Sequence, residues 1–224
     1  MSNKEIREYA KQTYKAKFQD VFLPVIIYTL ITGTISGFGG STTTIIPIVG
    51  GLLTIFIGLF TYVVQIGLTD YLVKFVHNQT YKLEDLFGKF NEIAKIFPVY
   101  FLQTIFIILW SLLFIIPGII KAFAYSLVPY LYLDNPDKDV PSILKESEEM
   151  MKGHKADLFM LYLSYLPHHL LGIITCGIYE FYIMPQQTLA VTKFLLEIKE
   201  GKTANSGIVE AQVIEDNTQN KEEQ

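Results

Sequence analysis

The chain has 224 residues, half of them hydrophobic and only 18% charged, where an ordinary water-solvated globule carries about a quarter. That balance excludes an average soluble domain and puts the chain among membrane proteins. A formal charge of −4 and a pI near 5.6 argue against nucleic acid as a partner, since phosphate contacts need a concentrated basic face, and the lone Cys176 excludes an intrachain disulfide.

Residues 1–20 are basic, with Lys4, Arg7, Lys11, Lys15 and Lys17, while Ile6, Tyr9, Thr13 and Phe18 recur near helical spacing. The pattern predicts an amphipathic cytoplasmic helix lying on a membrane surface. No small-residue cleavage site follows, so the segment is expected to be retained. Val21–Ser36 is the first apolar run, interrupted by Pro24 and Gly33, and the small, uncharged Gly37–Thr44 reads as a short exposed loop. Ile45–Leu68 is the second run, with Gln65 its most polar interior residue. Asp70–Lys95 carries the neighbouring charge, yet Leu72, Phe75, Val76, Leu83, Leu86, Phe87 and Phe90 give it an apolar face. Short interfacial helices are expected there.

Ile96 to Leu133 is a run of 38 residues with one formal charge, Lys121, and one interior break, Pro117-Gly118. At about 1.5 Å per helical residue, each half nearly crosses a hydrocarbon core of about 30 Å. Ile96–Ile116 therefore reads as a transmembrane helix and Ile119–Leu133 as its return, through a tight turn at Pro117-Gly118. A re-entrant Ile119–Leu133 and one long kinked helix are the alternatives. Asp134–Lys155 then offers the turn-like DNPDKDVP and a helix that Ser142 can cap. Its Glu146, Glu148 and Glu149, beside Lys145, Lys152 and Lys155, read as a solvated face. Leu158–Thr175 is the fifth run, Cys176-Gly177 a second tight turn and Tyr179–Leu196 the sixth run. Residues 200–224 are rich in Asn, Gln and Glu and read as a disordered acidic cytoplasmic tail.

Positive charges fall in the N-terminal segment, 69–95, 134–157 and the stretch from Lys193, whereas Gly37–Thr44, Pro117-Gly118 and Thr175–Gly177 carry none. The positive-inside rule then predicts an all-α polytopic membrane protein: six transmembrane helices in three hairpins across residues 21–199, with amphipathic cytoplasmic helices. Both termini are expected on the cytoplasmic side of the cell membrane.

The strings IPGIIKAFAYSLVPYLYLDNPD, KESEEMMKGHKADLF and the late GIYEFYIMP with its following TKF carry a resemblance. The chain resembles the bacterial integral membrane family known as domain of unknown function 975, from KEIREYAKQTYKAKF to about Lys199. The resemblance implies a polytopic membrane protein of Gram-positive-type bacteria and no particular activity. Within its central signature, Asp134, Pro136, Gly153, His154 and Lys155 form a candidate cytoplasmic motif.

The HExxH string of an intramembrane metalloprotease is absent, as are a Walker loop, a dinucleotide fingerprint and a nucleophile elbow. No catalytic, metal or cofactor residue is assigned, and a non-enzyme is expected. Ionisable groups at membrane depth are costly and often functional, which singles out His168 and His169. The preferred reading has neutral imidazoles bonding to neighbouring helices, and the other has a proton or metal role. Gln65, Gln103, Gln186 and Gln187 lie in three helices and either line a polar pathway or bond helix to helix, at roughly 0.6 kcal/mol each. Tyr125 and Tyr132 share a face with Lys121 and read as interfacial anchors. Lys121 and Glu180 each stand third after a Gly-Ile that follows a turn, so they are predicted to pair at one depth. The preferred function is a non-enzymatic membrane component acting through the lipid bilayer and a membrane or cytoplasmic protein partner. The alternative is a small transporter or exporter, or a transporter accessory subunit.

Overall fold

The computed structural model describes residues 2–222 except 46, 114 and 176, with side chains described outside 34–53, 113–115 and 202–222. Cys176 lies outside the described residues. In chain order the helices are α1 (Asn3–Ala16), α2 (Phe18–Ile45), α3 (Pro47–Val76), α4 (Ile93–Leu113), α5 (Ile115–Ala124), α6 (Val128–Asp134), α7 (Val140–Met150), α8 (Lys155–Ile174) and α9 (Ile178–Glu222). Two 3₁₀ turns, Leu83–Leu86 and Gly88–Glu92, precede α4. No strand occurs among the described residues, so the all-α expectation holds.

Three helical stretches, not six, are long and apolar enough among the described residues to cross a membrane: Thr54–Val76, Leu83–Leu112 and Ile116–Asp134. The reduction has a chemical cause. α8 opens with Lys155 and Asp157 and carries two histidines, and α9 is diluted by Glu180, Gln186, Gln187 and Lys193, while the first run, in α2, lies partly outside the residues with described side chains. Only 11% of the most apolar window of Leu83–Leu112 is buried. Ile108, Leu109 and Leu112 are each more than half exposed, a surface that water does not favour and lipid does.

The N-terminal helix forms as its sequence predicts, but it docks elsewhere. Ser2 Oγ accepts from the Glu5 amide while the Ser2 amide donates to Glu5, a reciprocal cap that satisfies two free donors of α1. Ile6, Ala10 and Tyr14 make a stripe at four-residue spacing that is fully buried against the protein. α1 packs chiefly on α9, and more lightly on α2 and α8, so its apolar face is covered by the protein.

The first loop expected, Gly37–Thr44, is helical, because α2 continues to Ile45. Charge in Asp70–Lys95 does not unfold that stretch: α3 extends through Leu72 and Phe75, both almost wholly buried, and the 3₁₀ turns fold back on α3. Gly67 permits this, since a Cβ there would collide with the Leu86 carbonyl. Pro117-Gly118, predicted as the central turn, lie inside α5, which packs back on α4. Pro117 is the third residue of α5, where a missing N–H is harmless. Gly118 lets α5 close on α4, a Cβ being only 2.8 Å from Ser111 Cα. The return is broken at 125–127, and Pro129 opens α6.

Asp139, and not Ser142, caps α7: its carboxylate accepts from the Ser142 amide at 3.0 Å. Pro141 in the first turn fixes the start one residue after the cap. α7 turns back on α6 and buries Ile143, Leu144 and Ser147, whose hydroxyl donates to the Ala124 carbonyl at 2.8 Å. Gly177, at φ +88°, makes the predicted turn between α8 and α9. Residues 200–222, read from composition as a disordered tail, continue α9 as helix to Glu222.

Candidate functional site: a polar chamber between the helices

A cavity of about 600 Å³ opens where α2, α3, α4, the α5–α6 return, α8 and α9 converge. It gathers three of the four glutamines singled out by sequence, Gln65 from α3, Gln103 from α4 and Gln187 from α9. Tyr62 donates to Gln103 Oε1 at 2.7 Å, which leaves the Gln103 amino group for a ligand. Gln65 is exposed to the cavity. Thr69 and Thr188, also in the lining, donate to carbonyls one turn back, at 2.9 and 2.8 Å. Tyr130 donates to Thr192 at 3.3 Å on the wall between α6 and α9. Every described residue lining the cavity is uncharged.

Gln186 does not join this chamber. Successive helical residues point about 100° apart, and Gln186, only 5% exposed, lines a second cleft between α1, α8 and α9 together with His168. The His168 ring lies parallel to Tyr179, at 6.3 Å between centroids. His169 turns away from it and bonds Glu180 through Nδ1 at 2.8 Å. The two histidines therefore have separate surroundings, and no group of three metal-ligating side chains occurs among the described residues.

The predicted Lys121–Glu180 pair does not form. Glu180 is taken by His169, and Lys121 by Glu148 of α7, at 2.7 and 2.8 Å to its two oxygens. The reason is the re-entry of α7, which brings an acidic residue to the level of Lys121. Glu146 likewise pairs with Lys138 at 2.6 Å, so the acidic face of α7 is a bonded face and not simply a solvated one. Tyr125 does share the neighbourhood of Lys121, whose Nζ lies 5.7 Å from its ring. Tyr132 is wholly buried and donates to Glu92 at 3.0 Å, so it anchors one helix to another and not to an interface.

The cytoplasmic motif is spread over several roles. Asp134 bonds Lys199 at 2.8 Å and ties the end of α6 to α9. Gly153 adopts φ +86° in the turn before α8, and His154 stands at the α8 N-cap, 3.9 Å from Asp157. Pro136 lies in the turn before α7 and Lys155 opens α8. These residues bracket α7 and do not converge on one point. Sequence reasoning passed over Tyr62, Thr69, Tyr130 and Thr192, because a Tyr or Thr within an apolar run carries no signal of which way it faces.

These features define a helical protein with spans of membrane-crossing length around an uncharged polar chamber. Residues 112–202 match the sequence model of a family described as protein of unknown function, DUF975. That stretch holds the central and late signatures on which the resemblance rests, while α1, Gln65 and Gln103 lie before it. No curated protein and no solved structure matches the chain.

Proposed function

We propose that this is a multi-pass membrane protein without catalytic activity, which binds a neutral, hydrogen-bonding small molecule in the central chamber and carries it across or out of the bilayer. The observation that carries this reading is the convergence of Gln65, Gln103 and Gln187, from three separate helices, on one cavity with no charge in its walls. A pocket of several hundred Å³ with mostly apolar walls and a few placed polar groups is the usual form of a small-molecule site. The absence of charge selects against ions. The cavity moves the transporter reading ahead of the protein-partner reading that sequence alone preferred.

The bilayer is the partner that the exposed apolar faces call for, on α4 and on the Phe159, Leu163, Leu166 and Leu170 face of α8. The distribution of lysine supports a cell-membrane location with the N-terminal segment and the 69–95 and 134–157 stretches on the cytoplasmic side.

The test is uptake and efflux in proteoliposomes holding the full chain, using a panel of uncharged amphipathic compounds. Flux that is lost in Gln65→Leu and Gln103→Leu supports the reading. A panel that neither moves nor raises the thermal stability of the purified protein sinks it.

A further inference from the structure

The cleft between α1, α8 and α9 differs from the chamber in its charge. It encloses about 480 Å³, and Lys4, Arg7 and Lys11 all line it. At three- and four-residue intervals these form one stripe on α1, so three cations stand side by side along one wall. Glu8 is the one acidic residue lining the cleft, which leaves a formal excess of two positive charges. None of the three cations makes an ion pair among the described residues, although most other lysines with described side chains do.

Like charges gathered on one wall repel, and Glu8 alone leaves two of the three without a counter-charge in the cleft. The opposite wall is built to add hydrogen bonds, not negative charge. His168 Nδ1 is buried with no hydrogen-bond partner. Gln186 is 5% exposed, and its amino group makes one long contact, 3.4 Å to the Tyr182 carbonyl. The Arg7 guanidinium lies over the Tyr165 ring at 5.3 Å, which holds the cation on this wall of the cleft.

We propose that this cleft is a binding site for a phosphate-bearing anion, with Lys4, Arg7 and Lys11 neutralising its charge and His168 and Gln186 completing its hydrogen bonds. A guanidinium beside two ammonium groups matches a tetrahedral oxyanion with several equivalent oxygens better than a single flat carboxylate. The cleft is large enough for a phosphodiester headgroup as well as for free phosphate. The site shares no lining residue with the central chamber, so it stands or falls independently of the transport reading.

The experiment is thermal unfolding of the purified full-length protein in a neutral detergent. It is titrated with phosphatidylglycerol, with phosphatidylcholine, and with sodium phosphate against sodium chloride at equal ionic strength. A rise in Tm with phosphatidylglycerol but not phosphatidylcholine assigns a lipid headgroup, and a rise with phosphate alone assigns a soluble phosphate compound. In either case the apparent Kd weakens about fivefold for each cation removed, so about a hundredfold in Lys4→Gln/Arg7→Gln/Lys11→Gln. The equal charge loss Lys145→Gln/Lys152→Gln/Lys155→Gln leaves it unchanged. Should the first triple variant not fold, Lys11→Gln alone, at an exposed position, carries the comparison. No response of the wild type to phosphatidylglycerol or phosphate overturns the proposal, as does a response that the α1 substitutions leave intact.

Discussion

Lys121 and Glu148 form a two-pronged ion pair, Nζ lying 2.7 and 2.8 Å from the carboxylate oxygens, and it fastens α7 to α5. Trp110 flanks the ammonium group, with its ring centre 5.3 Å away. The lysine side chain is only 18% exposed and the glutamate 34%, so each charge depends on the other more than a surface pair would. Lys121→Leu should therefore destabilise the protein more than Lys121→Leu/Glu148→Leu, because the single change strands a carboxylate. A double-mutant cycle on thermal unfolding in detergent is expected to give a coupling of about 2 kcal/mol. Simple additivity would show the pair to be screened and unimportant.

The approach of the first 3₁₀ turn to α3 gives a second prediction. A methyl at position 67 meets backbone atoms of Leu86, which have no rotamer to change, so Gly67→Ala should cost about 1–3 kcal/mol. At Gly88 nothing lies within 4 Å of an added Cβ, and Gly88→Ala should be close to neutral. Equal Tm values for the two variants would show that the Leu86 turn is free to move.

Within the chamber, the Tyr62–Gln103 bond holds the Gln103 carbonyl and thereby aims its amino group. Tyr62→Phe leaves that carbonyl unpaired and lets the amide rotate, at a cost of about 1 kcal/mol. The expected result is a modest drop in Tm together with weaker binding of any compound that Gln103→Leu also weakens. A ligand response in Tyr62→Phe equal to that of the wild type counts against an oriented Gln103.

Acid sensitivity should appear at the α7 cap. Hydrogen bonds from Ser142, first its side chain and then its backbone, hold the Asp139 carboxyl below the usual carboxylate range. A folded-state pKa below the unfolded one means stability that is present above the unfolded value, about pH 3.9, and lost as pH falls through the folded value. Asp139→Asn keeps a capping oxygen and removes the titration. Wild type and variant should therefore converge as the pH is lowered through the carboxylate range, while differing at neutral pH. Parallel Tm profiles for the two would mean that the cap does not titrate with folding.

The sequence made some of this legible and hid the rest for physical reasons. Helical periodicity located α1 and the apolar faces of the Asp70–Lys95 stretch, and a glycine between two apolar runs located the turn at Gly177, because each is a local property. The meeting of Gln65, Gln103 and Gln187 was available as one of two readings, since spacing along a chain does not say whether polar residues of different helices face inward together. The partner of Lys121 was out of reach. Equal distance from two turns suggested Glu180, but the choice was made by α7 folding back into the bundle, and its acidic residues look solvated until Ser147 is seen buried against Ala124. Among the described residues hydropathy overcounted the late spans because it weighs a run by its average, while Glu180 and Lys193 lie within the predicted sixth run and Asp157 stands at the edge of the fifth.

Gln186 and Gln187 are neighbours on one helix, yet one opens on the basic cleft and the other on the uncharged chamber. α9 is thus a party wall, one helix thick, between two rooms of opposite character. Pro185 stands directly before the pair and removes a backbone hydrogen bond from that turn, so the wall is most easily twisted where the two amides emerge. A twist that draws Gln186 toward an anion must carry Gln187 with it. If a ligand in either room moves that turn, the two sites are linked, and by thermodynamic reciprocity whatever an anion does to the affinity of the chamber, a chamber ligand does to the affinity for the anion.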